Sequence, residues 1–569
     1  MADSLNAPVT ASTLPPIIDS ETGEIVMKNR IKNPASLAST HQALFMADFQ
    51  ASQARAVVQS EVDGNPPFSA EQDRQRGVGG RTNINFGYNS QSQMDVEKPF
   101  NAVFDSIDVF GTTPTTHGEA TERERWGQII AEEASRMIRN WRDFDYNQQM
   151  CIHLFTMFGV AFTFRDDDLD WRWKVYDLQY LKLPRRTRAT ISDVDLVTCK
   201  VSMLPAQLYR KVENRAAAEA AGWNYEAVMG AIRTASQKAP DGSNPEEVER
   251  SFKDQDYFTG ISSTKIDLVY GWVAEVAGTI TKLICRYDRQ GEFLFKSGGK
   301  NTSMHQVITA YTYGVGSNGD FYSLRGNAWR GHNMSVSLNM LTGKFFDQAI
   351  WAATPLIEVA DEDALIDQAI QPAGPYNKIV SGNKFVEVPH ADFQNSLIPA
   401  IATAKEIFSM RTRSPCSNLK YTGGMPKTAA EINAQTAIDG SLTTEMMDLY
   451  FQSWKNDFKE VIRRIINKNL TAAHPGGEEA FEFRKRCLAR GVPIEAIYAV
   501  DVAAVEINRG VGKGSVQERR TAFSALMPYI GQLDQKGQQI LLWNIFAAYT
   551  DAAFANRVIP EQAGLRPPM

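Results

Sequence analysis

Residues 321–353 read FYSLRGNAWRGHNMSVSLNMLTGKFFDQAIWAA, residues 354–389 read TPLIEVADEDALIDQAIQPAGPYNKIVSGNKFVEVP, and residues 391–412 read ADFQNSLIPAIATAKEIFSMRT. In the first, Met334, Leu338, Leu341 and Phe345 fall on one stripe, while Val336, Met340, Phe346 and Ile350 occupy adjoining positions. That is a helix pattern over Ser323 to Ala353, apolar on more than one side, so it must bury against neighbours on more than one side. Helical throughout, it would span about 46 Å, with Gly326, Gly331 and Gly343 weakening its interior. Pro355 stops it. The second segment then offers a short strand, an acidic turn or short helix, a PAGP turn, and a β-hairpin turning at Ser381 to Asn383. In the third, Phe393, Leu397, Ile401, Ala404 and Phe408 share a helix face from about Asp392 to Met410. Pro399 fits there only as a kink, or in the first turn of a helix that starts near Ser396, where no backbone donor is lost.

Downstream, Thr428 and Glu431 form a capping box right after Pro426 and Lys427, so the polar loop 413–427 ends abruptly in a new helix. Between Leu442 and Leu470, Met447, Phe451, Trp454, Phe458, Val461 and Ile465 recur at spacings of three and four, with Arg463, Arg464 and Lys468 towards the end. This is a strongly amphipathic helix whose charges suit its dipole. Further helices are expected over Glu478–Arg490, Val516–Tyr529 and Gly537–Phe554, with a strand candidate around Val500–Asn508.

Upstream, residues 1–75 are rich in Ala, Ser, Pro, Thr, Gln and Asp without a sustained period, which predicts an extended arm. Helices are expected over Gly118–Asp143, where acidic residues lead and arginines trail, and over Tyr146–Met157. Two strands follow, around Val160, Phe162 and Phe164 and around Trp171, Trp173 and Val175, joined by an acidic turn. The carboxylates Asp166 to Asp168 with Asp170 lack the spacing and glycine of an EF-hand loop, so a solvated turn is the better reading. Residues 190–260 read as a surface subdomain with helices over Pro205–Gly222 and Tyr225–Ser236, and residues 265–314 return to strand patterns with a turn at Asp288 to Gly291.

A chain of 569 residues, 43% hydrophobic and 22% charged, is expected to fold into several units with a buried core. Its net charge of −6 argues against a protein that grips nucleic acid by neutralising phosphates. Five scattered cysteines, with no CxxC pair, fit reduced thiols rather than disulfides or a zinc site. The first residues lack the features of a signal peptide, which fits synthesis in a cytoplasm. Residues 509–515, RGVGKGS, approach a Walker A loop, but that motif needs glycine where Ile507 stands and a hydroxyl where Gly514 stands. No HExxH, GxSxG or Cys/His nucleophile pattern occurs, so the sequence is not expected to encode an enzyme, and no cofactor or metal is implied.

The order of these segments resembles the portal proteins, the ring-forming head-to-tail connectors of tailed bacteriophages. The likeness spans roughly residues 76–554 and is most specific over 321–470, with no single short motif diagnostic. It implies an α+β, predominantly helical portal-type fold assembling as a ring, typically of twelve subunits. Its parts would be an N-terminal arm (1–75), a mixed α/β wing (76–320), a first stem helix (321–353), a clip (354–390), a second stem helix (391–412), a tunnel loop (413–427), a long helical segment returning to the wing (428–475), and a mostly helical C-terminal wing and crown region (476–569). The resemblance implies that Arg413, Lys420, Tyr421 and Lys427 face double-stranded DNA in the channel. It also implies that Tyr376, Asn377, Lys378 and Lys384 on the clip dock the packaging motor and later the tail adaptor. Expected partners are further copies of the chain, DNA without sequence preference, terminase, tail adaptor, and major capsid and scaffolding proteins, with no membrane. The location would be the vertex between head and tail of a virion, with a short tail. Rival readings are another oligomeric virion component, such as an adaptor or minor capsid protein, and a nucleotide-driven packaging enzyme.

Overall fold

The computed structural model describes residues 17–18, 25–26, 31, 33–68, 82–104, 109–165, 167, 169–185, 188–237, 265–275, 279–314, 316–353, 356–358, 370–373, 376–379, 384–386, 393–412, 447, 449–472, 474–507, 527–532, 538 and 542. The fold mixes helix and sheet, in line with the expected α+β class. The chain forms two compact units, one of Met1–Ala54, Glu97–Gly326 and Ser441–Met569, the other of Arg55–Val96 and Asn327–Gly440. The larger unit therefore draws on both ends of the chain as well as its middle. The smaller one adds Arg55–Val96 to the segment that opened the sequence reading, which the expected arm and wing boundaries do not anticipate.

In the larger unit, a five-stranded antiparallel sheet has the order Phe295–Asn301, Ile280–Arg286, Ile266–Ala274, Leu196–Met203, Leu181–Lys182. A three-stranded sheet places Val160–Phe164 between Ile308–Thr312 and Lys174–Tyr176. Val160–Phe164 is buried at every position, so its near-continuous apolar run VAFTF marks a strand covered on both faces. Trp171 and Trp173 are buried but precede the paired strand Lys174–Tyr176. The two sheets share one core, in which Phe164 meets Trp272 edge-on at 4.6 Å.

Helices Ala120–Arg139, Phe144–Phe158 and Tyr225–Gln237 stand close to their expected bounds. Gly159 ends the second of these in the left-handed conformation at φ 87°, as a helix terminus favours. Other expectations are corrected. The region read as an extended arm contains helices Pro34–Ala47 and Phe49–Val62. The first is started by Asn33, whose side chain accepts from the Ser36 N–H, with Pro34 at the first helical position. The expected single helix Pro205–Gly222 is two, Pro205–Arg210 and Arg215–Ala221, the second begun by the Asn214 cap. Leu196–Met203, inside the expected surface subdomain, is an interior strand of the large sheet. At the C-terminal side, helix Gly477–Ala489 matches expectation and is followed by Gly491 at φ 84°. The strand candidate shrinks to Glu506–Ile507, paired with Val109–Phe110.

The smaller unit holds two long helices, Asn327–Ala353 and Phe393–Thr412. The first begins after Gly326 and spans about 40 Å at the usual helical rise. The second begins at Phe393, so Pro399 lies in its interior rather than in a first turn. At that position the chain forgoes one backbone hydrogen bond. Between the helices, Leu356–Glu358 pairs with Lys384–Val386, and Ile370–Ala373 pairs with Tyr376–Ile379. The expected hairpin across Ser381 to Asn383 is therefore replaced by two nested ladders. Facing Ala373 with Tyr376 leaves only Gly374 and Pro375 to connect the inner strands, the shortest common hairpin loop. Strand Lys384–Val386 is thereby left to pair with the segment that enters the insert.

Candidate functional site

The two long helices pack antiparallel. A Cβ on Gly331 would stand 2.7 Å from Thr412 Cγ2 and 2.9 Å from Phe408 Cε2, while Leu338 shares an apolar cluster with Ala404 and Phe408. The glycine thus pays for its poor helix propensity with a close helix contact. Segment 82–88 lies along the first helix. The Thr82 N–H donates to Asp347 Oδ1 at 2.6 Å, the Phe86 N–H donates to Asn339 Oδ1 at 3.0 Å, and the Tyr88 and Thr342 hydroxyls are hydrogen-bonded at 3.0 Å. Phe86 stacks on Phe346 at 5.6 Å, and Lys405 lies over the Tyr88 ring at 5.4 Å. Gly343 makes room for this segment, since a Cβ there would be 3.2 Å from Thr82 O. Deeper in, Glu61 Oε2 accepts from Asn89 Nδ2 at 3.0 Å and lies 2.6 Å from His332 Nδ1.

These contacts cover one side of the helix pair. On the return helix, Ala404, Phe408 and Thr412 are buried, whereas Ile398 is 45% exposed, Ile407 40% and Met410 69%. Nine residues at 100° each put Ile398 and Ile407 on opposite sides of the helix. Apolar side chains therefore flank the buried line on both of its sides. On the first helix Met340 is 37% exposed and Phe346 44%. For the first helix the sequence showed this surplus of apolar positions; which of them segment 82–88 covers was not legible, because those contacts come from more than 250 residues upstream.

Among the expected clip residues, Tyr376, Asn377 and Lys378 lie on the inner ladder opposite Ala373, Pro372 and Gln371, and Lys384 lies on the outer ladder opposite Glu358. The backbone thus brings the first three onto one hairpin strand and sets Lys384 on a different ladder. Arg413, Lys420, Tyr421 and Lys427 lie outside the described residues, as do the Thr428 and Glu431 cap and residues 509–515.

A second group of polar side chains was missed by the sequence reading. Residues 449–465 form the expected amphipathic helix in the larger unit, and its polar positions enter the core with its apolar ones. Asp457 Oδ1 is 2.6 Å from Arg165 Nη2 with both side chains fully buried, and the Tyr311 hydroxyl donates to Asp457 Oδ2 at 3.0 Å. Arg464 donates from Nε to Glu460 Oε1 at 2.5 Å and from its Nη atoms to the carbonyls of Asp170 at 2.7 Å and Gln306 at 2.6 Å. Burial alone would raise the Glu460 carboxyl. The hydrogen bond from Arg463 and the charges of Arg464, Arg463 and Arg165 outweigh it and hold the group below its ordinary value. Tyr311 is pushed up by burial and by the Asp457 charge, so it stays a donor to that carboxylate. The network clamps the helix to the loop after Val160–Phe164. A spacing signal did exist: Asp457, Glu460 and Arg464 follow the apolar stripe at three- and four-residue intervals.

Two carboxylates of the acidic turn, Asp167 and Asp170, bond locally. Asp167 Oδ1 accepts from the Leu169 N–H at 3.0 Å, and Asp170 Oδ1 accepts from Arg172 Nε at 2.9 Å. Among the described residues, no group of three or more His, Cys, Asp or Glu side chains is placed to hold a metal, and no helix is long and apolar enough to cross a membrane. No family model and no curated relative matches the chain.

Proposed function

We propose that the chain is the subunit of a portal ring, a channel at one vertex of a phage head through which double-stranded DNA is packaged and ejected. The observation that carries this reading is the helix pair of the smaller unit, in which an outgoing helix, nested ladders and a returning helix follow in order. Apolar residues stay exposed on both sides of the return helix. A helix with two uncovered apolar flanks is suited to a ring, where each copy meets a neighbour on either side. In this reading the pair is the stem, the ladders are the clip that docks terminase and then the tail adaptor, and residues 413–427 form the tunnel loop. The ring works by geometry and assembly and hydrolyses nothing. Net negative charge suits a conduit that holds DNA without clamping it.

Light scattering after size exclusion, combined with negative-stain imaging of the purified chain, tests the reading. Rings of about a dozen copies are expected, and a monomer without rings at assembly-competent concentration overturns it. Lys420→Ala with Lys427→Ala should leave rings intact and alter packaging or genome retention. Failure to form rings would make those lysines structural. The packaging-enzyme alternative requires ATP turnover that Lys513→Ala abolishes, and the ring reading expects none.

A further inference from the structure

Helix Pro34–Ala47 lies on one face of the five-stranded sheet. Leu37 and Ala38 pack on Val269, Leu283 and Cys285, and the sheet supplies a glycine at the contact, where a Cβ on Gly271 would stand 2.5 Å from Leu37 Cδ1. The polar part of the contact centres on His41, which is 2% exposed and bonds Thr198 Oγ1 through Nδ1 at 2.9 Å. From strand Leu181–Lys182 comes the buried Lys182 ammonium, 2.8 Å from Asp48. Strand Leu196–Met203 contributes Lys200, paired at 2.7 Å with Asp267 of strand Ile266–Ala274. Tyr287 meets the His41 ring edge-on at 6.2 Å. Both carboxylates around the histidine are thus already engaged by lysines.

We propose that helix Pro34–Ala47 is an acid-releasable strap: a proton on His41 adds a third cation beside Lys182 and Lys200, the helix lifts, and the sheet face of Val269, Leu283 and Cys285 is uncovered. Burial first, and then the two lysines, lower His41 from 6.5 to about 4 in the docked state. Because the docked value is the depressed one, the contribution of neutral His41 to docking is fully present above about pH 6.5 and is lost as pH falls towards 4. From near pH 7.5 to near pH 5 the ratio of released to docked helix rises roughly 30-fold by this linkage. The proposal does not depend on the ring reading.

Cys285 is the reporter. Its Sγ lies 3.5 Å from Pro34 O beneath the strap, and burial pushes its thiol up to about 12. Cys199, in the core on the other side of the same sheet, is the control. The full chain is treated with a dipyridyl disulfide near pH 7.5 and near pH 5, each rate is normalised to denatured chain at the same pH, and the sites are read by peptide mass spectrometry. Protection of Cys285 should fall roughly 30-fold at the lower pH while that of Cys199 holds, and His41→Gln should abolish the difference. Equal Cys285 protection at both pH values, parallel loss at Cys199, or an unchanged pH dependence in His41→Gln overturns the strap. Should that variant fail to fold, Lys200→Gln, at a side chain 36% exposed, decides: the pH dependence must shrink, and an unaltered one overturns the proposal.

Discussion

Two helical regions carry apolar residues at helical spacing and bury them differently. In residues 449–465, Phe451 is 3% exposed, Trp454 1%, and Phe458, Val461 and Ile465 are fully buried. In the helix pair of the smaller unit, Ile398, Ile407 and Met410 stay between 40% and 69% exposed. The first pattern is satisfied within the chain, where each full burial of such a side chain stabilises by roughly 1.5–3 kcal/mol. The second buries Leu338, Ala404 and Phe408 within the pair and leaves only its flanking apolar residues without cover among the described residues of the chain. An apolar stripe therefore states that something must cover a helix without stating whether the cover belongs to the same chain.

The contrast can be broken most forcefully at the buried end. Asp457→Ala strands the Arg165 guanidinium in the core and should destabilise the larger unit by about 3–5 kcal/mol, read as a lowered urea midpoint. A loss near zero would mean that the ion pair does not anchor the helix. Next in size is Gly331→Val, which trades a gain in helix propensity for a clash with Thr412 and Phe408. A net loss of about 1–3 kcal/mol is expected in the smaller unit, and stabilisation would show that the helices are not in close contact there.

Acid titration separates the regions more finely. The Glu460 carboxyl lies below its ordinary 4.5 in the fold, so its contribution is fully present above about pH 4.5 and disappears as pH falls through the lowered value. Glu460→Gln should lower stability at neutral pH and flatten the acid limb of a denaturation series; an unchanged limb would count against the Arg463 and Arg464 contacts. The smallest effect on the isolated subunit is expected from Ile407→Glu with Met410→Glu, within about 0.5 kcal/mol at such exposed sites. Sedimentation should nevertheless show loss of any assembly. Rings that persist in that variant would remove this flank from the interface.

By itself the sequence determined the α+β class, both long helices of the smaller unit, the helix over 449–465 and most strands between 265 and 314, because periodicity and caps are local signals. It misread residues 34–62, whose helices are only weakly amphipathic and take much of their stability from what they pack against. It also misplaced the partner of Lys384–Val386, since strand pairing is a choice among segments that are all locally adequate. Only the tertiary structure decided that Asp457, Glu460 and Arg464 turn inward, because a charged residue enters a core when partners such as Arg165 and Tyr311 arrive from other segments. Gly331 shows the same division: the sequence showed a weak point in a helix, and the fold made it a place of close helix contact, because a Cβ there would crowd Phe408 and Thr412.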